Sequence, residues 1–126
     1  MNSGRTLAVA AVLLALATAS GAFGAHALKA HLSADRLQLW ETAVRYHFFH
    51  ALGLLGVGLT LRSLDVGLLR AAAALIVAGI LLFCGSLYAL ALGAPRVLGA
   101  LTPLGGLVWI AGWLLYAGGA WRAAAG

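Results

Sequence analysis

The sequence predicts an all-α integral membrane bundle of four transmembrane helices, with an amphipathic helical stretch between the first and second spans. Of its 126 residues, 63% are hydrophobic and only 9% are charged, whereas soluble domains carry about 25% charged residues. The apolar residues fall in four continuous runs that reach or approach the roughly 20 residues needed to cross a bilayer. Because the runs are continuous rather than alternating, helices are favoured over a β-barrel. We therefore expect one transmembrane domain over residues 1–126.

The predicted spans follow the uncharged runs of the chain. Arg5 and the run that follows it also resemble a secretory signal peptide, but the run is longer than an ordinary signal core. Within it, Ala17, Gly21 and Ala25 recur at four-residue spacing, which lets a neighbouring helix approach closely. The four predicted spans cover residues 6–25, 46–61, 71–93 and 97–121.

An amphipathic helix is predicted at about residues 34–45, between the first two spans. Ser33 resembles an N-cap, and Asp35 falls in the first turn, where the helix dipole favours an acid. Glu41 precedes Arg45 by four residues, which is the favourable order for a helical ion pair. We expect this stretch to lie near the membrane interface before it continues into the second span.

A helix-start motif lies within the fourth predicted span, at Thr102, Pro103, Gly105 and Gly106. A threonine followed by a proline is typical of an N-cap and a first-turn proline. The motif predicts that the last helix either begins near Leu104 or is broken there.

The polar residues at the start of the second span are the main candidates for function. On a helix, Tyr46, His47 and His50 share one arc that excludes Arg45, so the histidines should face the bundle or another subunit. Polar groups at membrane depth are costly and often functional. The histidines could relay protons, line an ion path, bind metal or haem, or simply hydrogen-bond across a helix interface. The predicted intramembrane polar site comprises His26, Arg45, Tyr46, His47, His50, Ser86 and Tyr88.

Several functions are disfavoured by the residue inventory. The single cysteine, Cys84, excludes an intrachain disulfide and a cysteine-based zinc site. The acids Asp35, Glu41 and Asp65 lie outside the fully apolar spans and form no catalytic pair, so we expect no enzyme, cofactor or metal. An anion, or a proton carried by histidine, is then a more physical transported species than a cation. The net charge is +5, but the cations are dispersed along the chain rather than clustered. This pattern predicts that they flank the membrane spans, and we expect no nucleic-acid partner.

The orientation of the chain follows from the distribution of its cations. Four spans place both termini on one side, and four cations then fall on each side of the membrane. If Arg45 is drawn into the bilayer, the side that holds the termini has more cations than the opposite side. The positive-inside rule then predicts cytoplasmic termini. The cations are Arg5, Arg62, Arg70 and Arg122 on the terminal side, and Lys29, Arg36, Arg45 and Arg96 on the other.

Five stretches together resemble a known family. They are GAFGAH at 21–26, WETAV at 40–44, YHFFHALGLL at 46–55, GSLYALAL at 85–92 and LTPLGGLVWIAGW at 101–113. In order and spacing they resemble Domain of Unknown Function family 423, a family of small bacterial membrane proteins with eukaryotic relatives. The resemblance implies four membrane helices in the bacterial inner membrane and no established activity. The matching positions are His26, Trp40, Thr42, His50, Ser86, Tyr88, Thr102 and Gly105.

The family resemblance also bears on His47, because many bacterial members are associated with glutamine at this position. It therefore weakens a paired-histidine metal site and shifts weight to His26 and His50.

The functional hypothesis is a small multi-pass membrane protein of unassigned activity that acts as an oligomeric channel or transport-type protein for an anion or proton. A four-helix protomer of this size is too small to enclose a pathway, so a homo-oligomer in the lipid bilayer is expected. One alternative is a non-catalytic membrane subunit or assembly partner of a larger complex. Another is a haem- or metal-binding membrane protein.

Overall fold

The chain is entirely helical in a computed structural model that describes residues 1–126, which confirms the all-α prediction. The α3 helix, a π-helical turn and α4 form one continuous rod, so the molecule consists of four rods. The α-helices are α1 (Ser3–His26), α2 (Ala34–Ser63), α3 (Gly67–Gly79), α4 (Gly85–Ala91) and α5 (Leu101–Ala125). The π-helical turn is Ile80–Cys84, and 3₁₀ turns cover Leu28–Ala30 and Arg96–Ala100.

Three of the four rods are long and apolar enough to cross a membrane. They are Ser3–Ala30, Gly67–Ala91 and Arg96–Ala125, and they contain most of the first, third and fourth predicted spans. The α2 helix is the longest, at 30 residues, but its first half carries charged side chains. It joins the predicted interfacial stretch 34–45 and the predicted span 46–61 in one uninterrupted helix.

Local signals explain where two of the helices begin and end. The Arg36 amide donates to Ser33 Oγ at 3.3 Å, so Ser33 is the N-cap of α2, as predicted. After α4, Gly93 adopts a φ of 103°, a conformation that favours glycine. The Ala94 amide then donates to the Ala89 carbonyl at 2.9 Å, which closes the helix end in the manner of a Schellman motif.

The start of α5 differs from the prediction made for the helix-start motif. The helix begins at Leu101 with Ala100 as its N-cap, so Thr102 lies in the first turn rather than at the cap. The Thr102 hydroxyl instead contacts a serine of α4, as described below. Pro103 does lie in the first helical turn, where its missing N–H leaves no intrahelical bond unmade.

The α1 and α2 helices pack antiparallel along nearly the whole length of α1. At one end, Ser3 Oγ donates to the Gly58 carbonyl at 2.8 Å. At the other end, the Trp40 indole N–H donates to the Ser20 carbonyl at 2.8 Å. The indole also lies against Gly24, where an added Cβ would come within 2.6 Å of it. These contacts fix the relative depth of the two helices.

The main core lies between α2, the α3–α4 rod and α5. Leu54, Leu69 and Ile76 are fully buried there, and the Trp109 indole of α5 donates to the Ile76 carbonyl at 3.1 Å. The α1 and α5 helices pack against other helices rather than against each other. As a result, one face of α2 is exposed along the length of the helix.

Candidate functional site

His47 is buried inside the bundle, where α1, α2 and α4 meet. Only 4% of the residue is exposed, and ring Nδ1 lies 2.9 Å from the Tyr88 hydroxyl of α4. The Tyr88 ring packs against Trp40, with ring centroids 4.6 Å apart, and Trp40 donates to Ser20 of α1. We call these four residues the His47 cluster. The cluster ties three helices together, as the helix-interface interpretation of His47 predicts.

The second ring nitrogen of His47 is left without a partner. His47 Nε2 is the one buried side-chain nitrogen or oxygen that makes no hydrogen bond. The Leu13 backbone of α1 lies beside the ring, but not in a geometry that gives Nε2 a hydrogen bond. Buried polar atoms are normally paired. One nitrogen of His47 therefore has a structural role, and the other lies beside the Leu13 backbone without a well-formed hydrogen bond.

His50 faces α5 instead of the His47 cluster. Its ring stacks on Trp109, with centroids 3.5 Å apart and planes 4° apart. His50 Nδ1 lies 3.0 Å from the Tyr46 carbonyl, and because a carbonyl only accepts, Nδ1 must carry the proton. The Tyr46 ring packs against Phe83 at a centroid distance of 5.0 Å. The two histidines of YHFFH therefore contact different helices and do not form one site.

Ser86 and Thr102 join α4 to the start of α5. Ser86 Oγ donates to the Phe83 carbonyl at 2.9 Å, and it lies 2.6 Å from Thr102 Oγ1. Because the serine proton is already used, the Thr102 hydroxyl donates to Ser86. Gly105 lies directly against Phe83, whose backbone nitrogen would be 2.5 Å from an added Cβ. These residues build a helix contact and leave no room for a ligand.

The other predicted site residues lie apart from these contacts. His26 and Arg45 are exposed at the surface of the protomer. Pro103 is exposed as well, and Gly106 has open space around it. The structure thus brings together His47 with Tyr88 and Ser86 with Thr102, but it assembles no single polar pocket from the predicted set.

No internal pathway or metal-ligand cluster is present in the protomer. No group of three or more His, Cys, Asp or Glu side chains lies close enough to hold a metal ion. Two surface depressions occur, and neither contains a histidine. One is lined by Val66, Gly67, Leu68, Gly119, Arg122 and Ala123, and the other by Ala8, Val9, Val12 and Leu13.

A polar stripe on the exposed face of α2 is the remaining candidate site. It comprises Gln38, Glu41 and Arg45, all of them exposed, and we call it the α2 polar stripe. The single ion pair of the protomer joins Arg70 and Asp65 at 2.8 Å. Glu41 and Arg45 therefore have no charged partner, although their spacing would permit an ion pair.

The packing against α1 sets the depth of Arg45. Trp40 contacts Gly24, and Val44 contacts Gly21 on the antiparallel helix. Arg45 therefore lies near the level of residues 17–20 of α1. This level is roughly 10 Å inside the Ala25 end of the uncharged run, at 1.5 Å per residue. Arg45 is thus an exposed, unpaired cation at a depth where α1 carries only uncharged residues.

The aromatic partners Trp40 and Trp109 were not predicted as parts of the site. A signal for them is present in the sequence, because an indole N–H inside an apolar run needs a hydrogen-bond acceptor when it is buried. Both indoles find a backbone carbonyl on a neighbouring helix. Which helix supplies that carbonyl depends on the tertiary packing.

Three membrane-length apolar helices joined by buried polar contacts define a small multi-helix membrane protein. Comparison with known proteins agrees with this class. Residues 20–106 match the family model described as a protein of unknown function, DUF423. The chain belongs to this family, as its five sequence stretches predicted, and all residues of the predicted sites fall inside the matched range.

Individual relatives are similar over most of their length. The UPF0382 membrane protein YwdK of Bacillus subtilis (strain 168) is 46% identical over 101 residues, which are 79% of this chain and 82% of that protein. A UPF0382 membrane protein of Staphylococcus haemolyticus (strain JCSC1435) is 44% identical over 100 residues, which are 79% of this chain and 81% of that protein. No solved structure matches the chain.

Proposed function

We propose that α2 is a fourth membrane span and that copies of this chain associate in the bacterial inner membrane, with both termini in the cytoplasm. The support for the span is the packing of α2 against α1. Because α1 is long and apolar enough to cross the membrane, a helix lying antiparallel beside it occupies the same depth. The contacts from Ser3 to Gly58 and from Ser20 to Trp40 extend this argument over most of α2.

The proposed activity is the conduction of a small anion along a path between copies. The observation that carries this proposal is Arg45, an unpaired cation exposed on the protomer at membrane depth. Charged residues in membrane segments almost always face protein or water rather than lipid. A guanidinium offers five N–H donors, which can replace part of the hydration shell that an anion loses on entering the membrane.

The path is proposed to lie between copies because the protomer offers no route of its own. Its two depressions are both at the surface. His47 lies inside the helix bundle, and the His50 ring is stacked on Trp109. Of Arg45, His47 and His50, Arg45 is therefore the residue whose side chain lies exposed on the outer surface of α2.

Ion flux from liposomes that contain the purified protein tests this proposal. We expect chloride flux to fall about tenfold or more in Arg45→Gln, which corresponds to a barrier increase of at least about 1.4 kcal/mol. Arg45→Lys should keep part of the flux, because it keeps the charge. The matched control is Arg62→Gln, which removes an exposed arginine from the end of the same helix and should leave flux unchanged.

A proton is the second candidate for the transported species, and the unpaired Nε2 of His47 is the observation that favours it. In the same liposomes under a proton gradient, proton flux lost in His47→Gln but kept in Arg45→Gln would assign the activity to the His47 cluster. Absence of all flux from correctly assembled protein, together with a stoichiometric co-purifying membrane protein, would favour the assembly-partner alternative instead.

A further inference from the structure

We infer that the α2 polar stripe is the surface by which two copies of this chain meet, with Glu41 of one copy paired to Arg45 of the other. This inference rests on the association of copies proposed above, and it identifies the contact surface and the groups that hold it. It concerns α2 alone and does not require that the protein conducts ions.

The charges of the stripe have no adequate partner in a single protomer. Glu41 and Arg45 are both exposed and make no ion pair. The neighbouring helix α1 carries no charge at the level of Arg45, and Glu41 lies near the level of Gly24, close to the end of the same uncharged run. Lipid chains cannot hydrogen-bond a carboxylate or a guanidinium, so ionisable side chains in membrane segments pair with one another or line water. A facing protein surface with both an acid and a base at this depth would satisfy both groups.

A second copy in parallel orientation supplies such a surface. Glu41 and Arg45 are separated along the helix by about 6 Å, at 1.5 Å per residue, which is a separation that their long side chains can bridge. Around an axis normal to the membrane, each Glu41 can face the partner's Arg45 and each Arg45 the partner's Glu41. Such reciprocal pairing is the property of an isologous interface. An antiparallel copy would place the two stripes at opposite depths and leave all the charges unpaired.

Beyond the charged residues, toward the C-terminal end of α2, the exposed face continues as a surface on which a helix can pack. Phe49, Leu52, Gly56 and Leu59 follow Arg45 at alternating spacings of three and four residues, and all four are exposed. An added Cβ at Gly56 would meet nothing within 4 Å, so a neighbouring backbone can approach closely there. The same face can therefore continue the contact toward the terminal side.

The pairing is compatible with an anion path beside it. A carboxylate occupies at most two of the five N–H donors of a guanidinium in a bidentate contact. The remaining donors of Arg45 stay available to a passing anion. Glu41 would thereby hold Arg45 in position and also lower the positive potential that the anion meets.

Cysteine cross-linking in native membranes tests the interface. Gln38→Cys introduces a thiol at the N-terminal end of the stripe, close to the proposed axis. An oxidant should convert this variant to a cross-linked dimer. The matched control is Leu16→Cys on the outer face of α1, which is 53% exposed and should not cross-link. The natural Cys84 is 1% exposed and can be kept.

Charge exchange then tests the pairing itself. In the Gln38→Cys background, Glu41→Arg or Arg45→Glu alone should reduce the cross-linked fraction severalfold, and the two together should restore it. When the singly changed chains are co-expressed with different tags, one carries two cations on the stripe and the other two anions. They should cross-link to each other more than to themselves, because each like-charged pairing is disfavoured.

The outcomes separate this inference from the proposed transport. Equal cross-linking in all charge variants would overturn the Glu41–Arg45 pairing. Cross-linking at Leu16→Cys instead of Gln38→Cys, or capture of only an unrelated protein at the stripe, would overturn the α2 surface. Charge-dependent cross-linking without chloride flux would support the interface and contradict conduction. Flux without cross-linking at Gln38→Cys would contradict the interface and leave conduction standing.

Discussion

At the scale of single residues, the structure divides the opening motif of the second span between two neighbourhoods. His47 and His50 are three residues apart, which turns their side chains by about 60° relative to each other on a helix. His47 hydrogen-bonds Tyr88, whereas His50 stacks on Trp109. The sequence could predict that both face protein rather than lipid. It could not predict that different helices lie opposite the two side chains, because that depends on how the rods pack.

The Tyr88 hydroxyl is expected to stabilise the bundle through His47. Tyr88→Phe removes the partner of a buried ring nitrogen, and the free energy of unfolding should fall by about 1 kcal/mol, since interhelical hydrogen bonds in membranes contribute up to about 1–2 kcal/mol. Thermal unfolding in detergent measures the change. Tyr116→Phe is the matched control, because its partner Thr60 still donates to the Gly56 carbonyl. An equal loss in both variants would contradict the role assigned to Tyr88.

At the scale of helices, uncharged length and turn chemistry could be read from the sequence. The run after Arg5 predicts α1, and the Ser33 N-cap predicts the start of α2. The π-helical turn at Ile80–Cys84 has no comparable signal, because it lies in the middle of an apolar run. The start of α5 was missed since Thr102 uses its hydroxyl on Ser86 of another helix rather than on its own backbone.

The helix-start motif provides a test of helix packing with two adjacent glycines. Gly105→Ala should separate α5 from the α3–α4 rod, because the added Cβ would lie 2.5 Å from the Phe83 backbone nitrogen. The expected loss of stability is about 1–3 kcal/mol, as for other overpacked contacts.

The neighbouring substitution Gly106→Ala is the control, since nothing lies within 4 Å of its added Cβ. It should be neutral or slightly stabilising, because alanine is the better helix former. Thermal unfolding of the two variants in the same detergent makes the comparison, and equal melting temperatures would contradict the packing described for Gly105.

At the scale of the whole molecule, the four rods form a bundle with a closed interior and an exposed polar stripe on α2. The buried polar groups mostly satisfy each other within the bundle, whereas the α2 polar stripe has no partner there. The amphipathic pattern of residues 34–45 was predicted, and its position at the membrane interface stays a prediction. Contact with α1 places Arg45 beside the uncharged run of that helix, and that single observation underlies both proposals.

The measurement that tests this view most directly is the aqueous accessibility of position 45. Arg45→Cys in native membranes should react with an anionic, water-soluble thiol reagent, because the α2 polar stripe is proposed to border a wet path between copies. Leu16→Cys, which is exposed on α1 close to the level of Arg45 and is proposed to face lipid, should stay unreacted. Labelling of Arg45→Cys alone is the result we expect. An unreactive cysteine at position 45 in correctly inserted protein would contradict the proposed path.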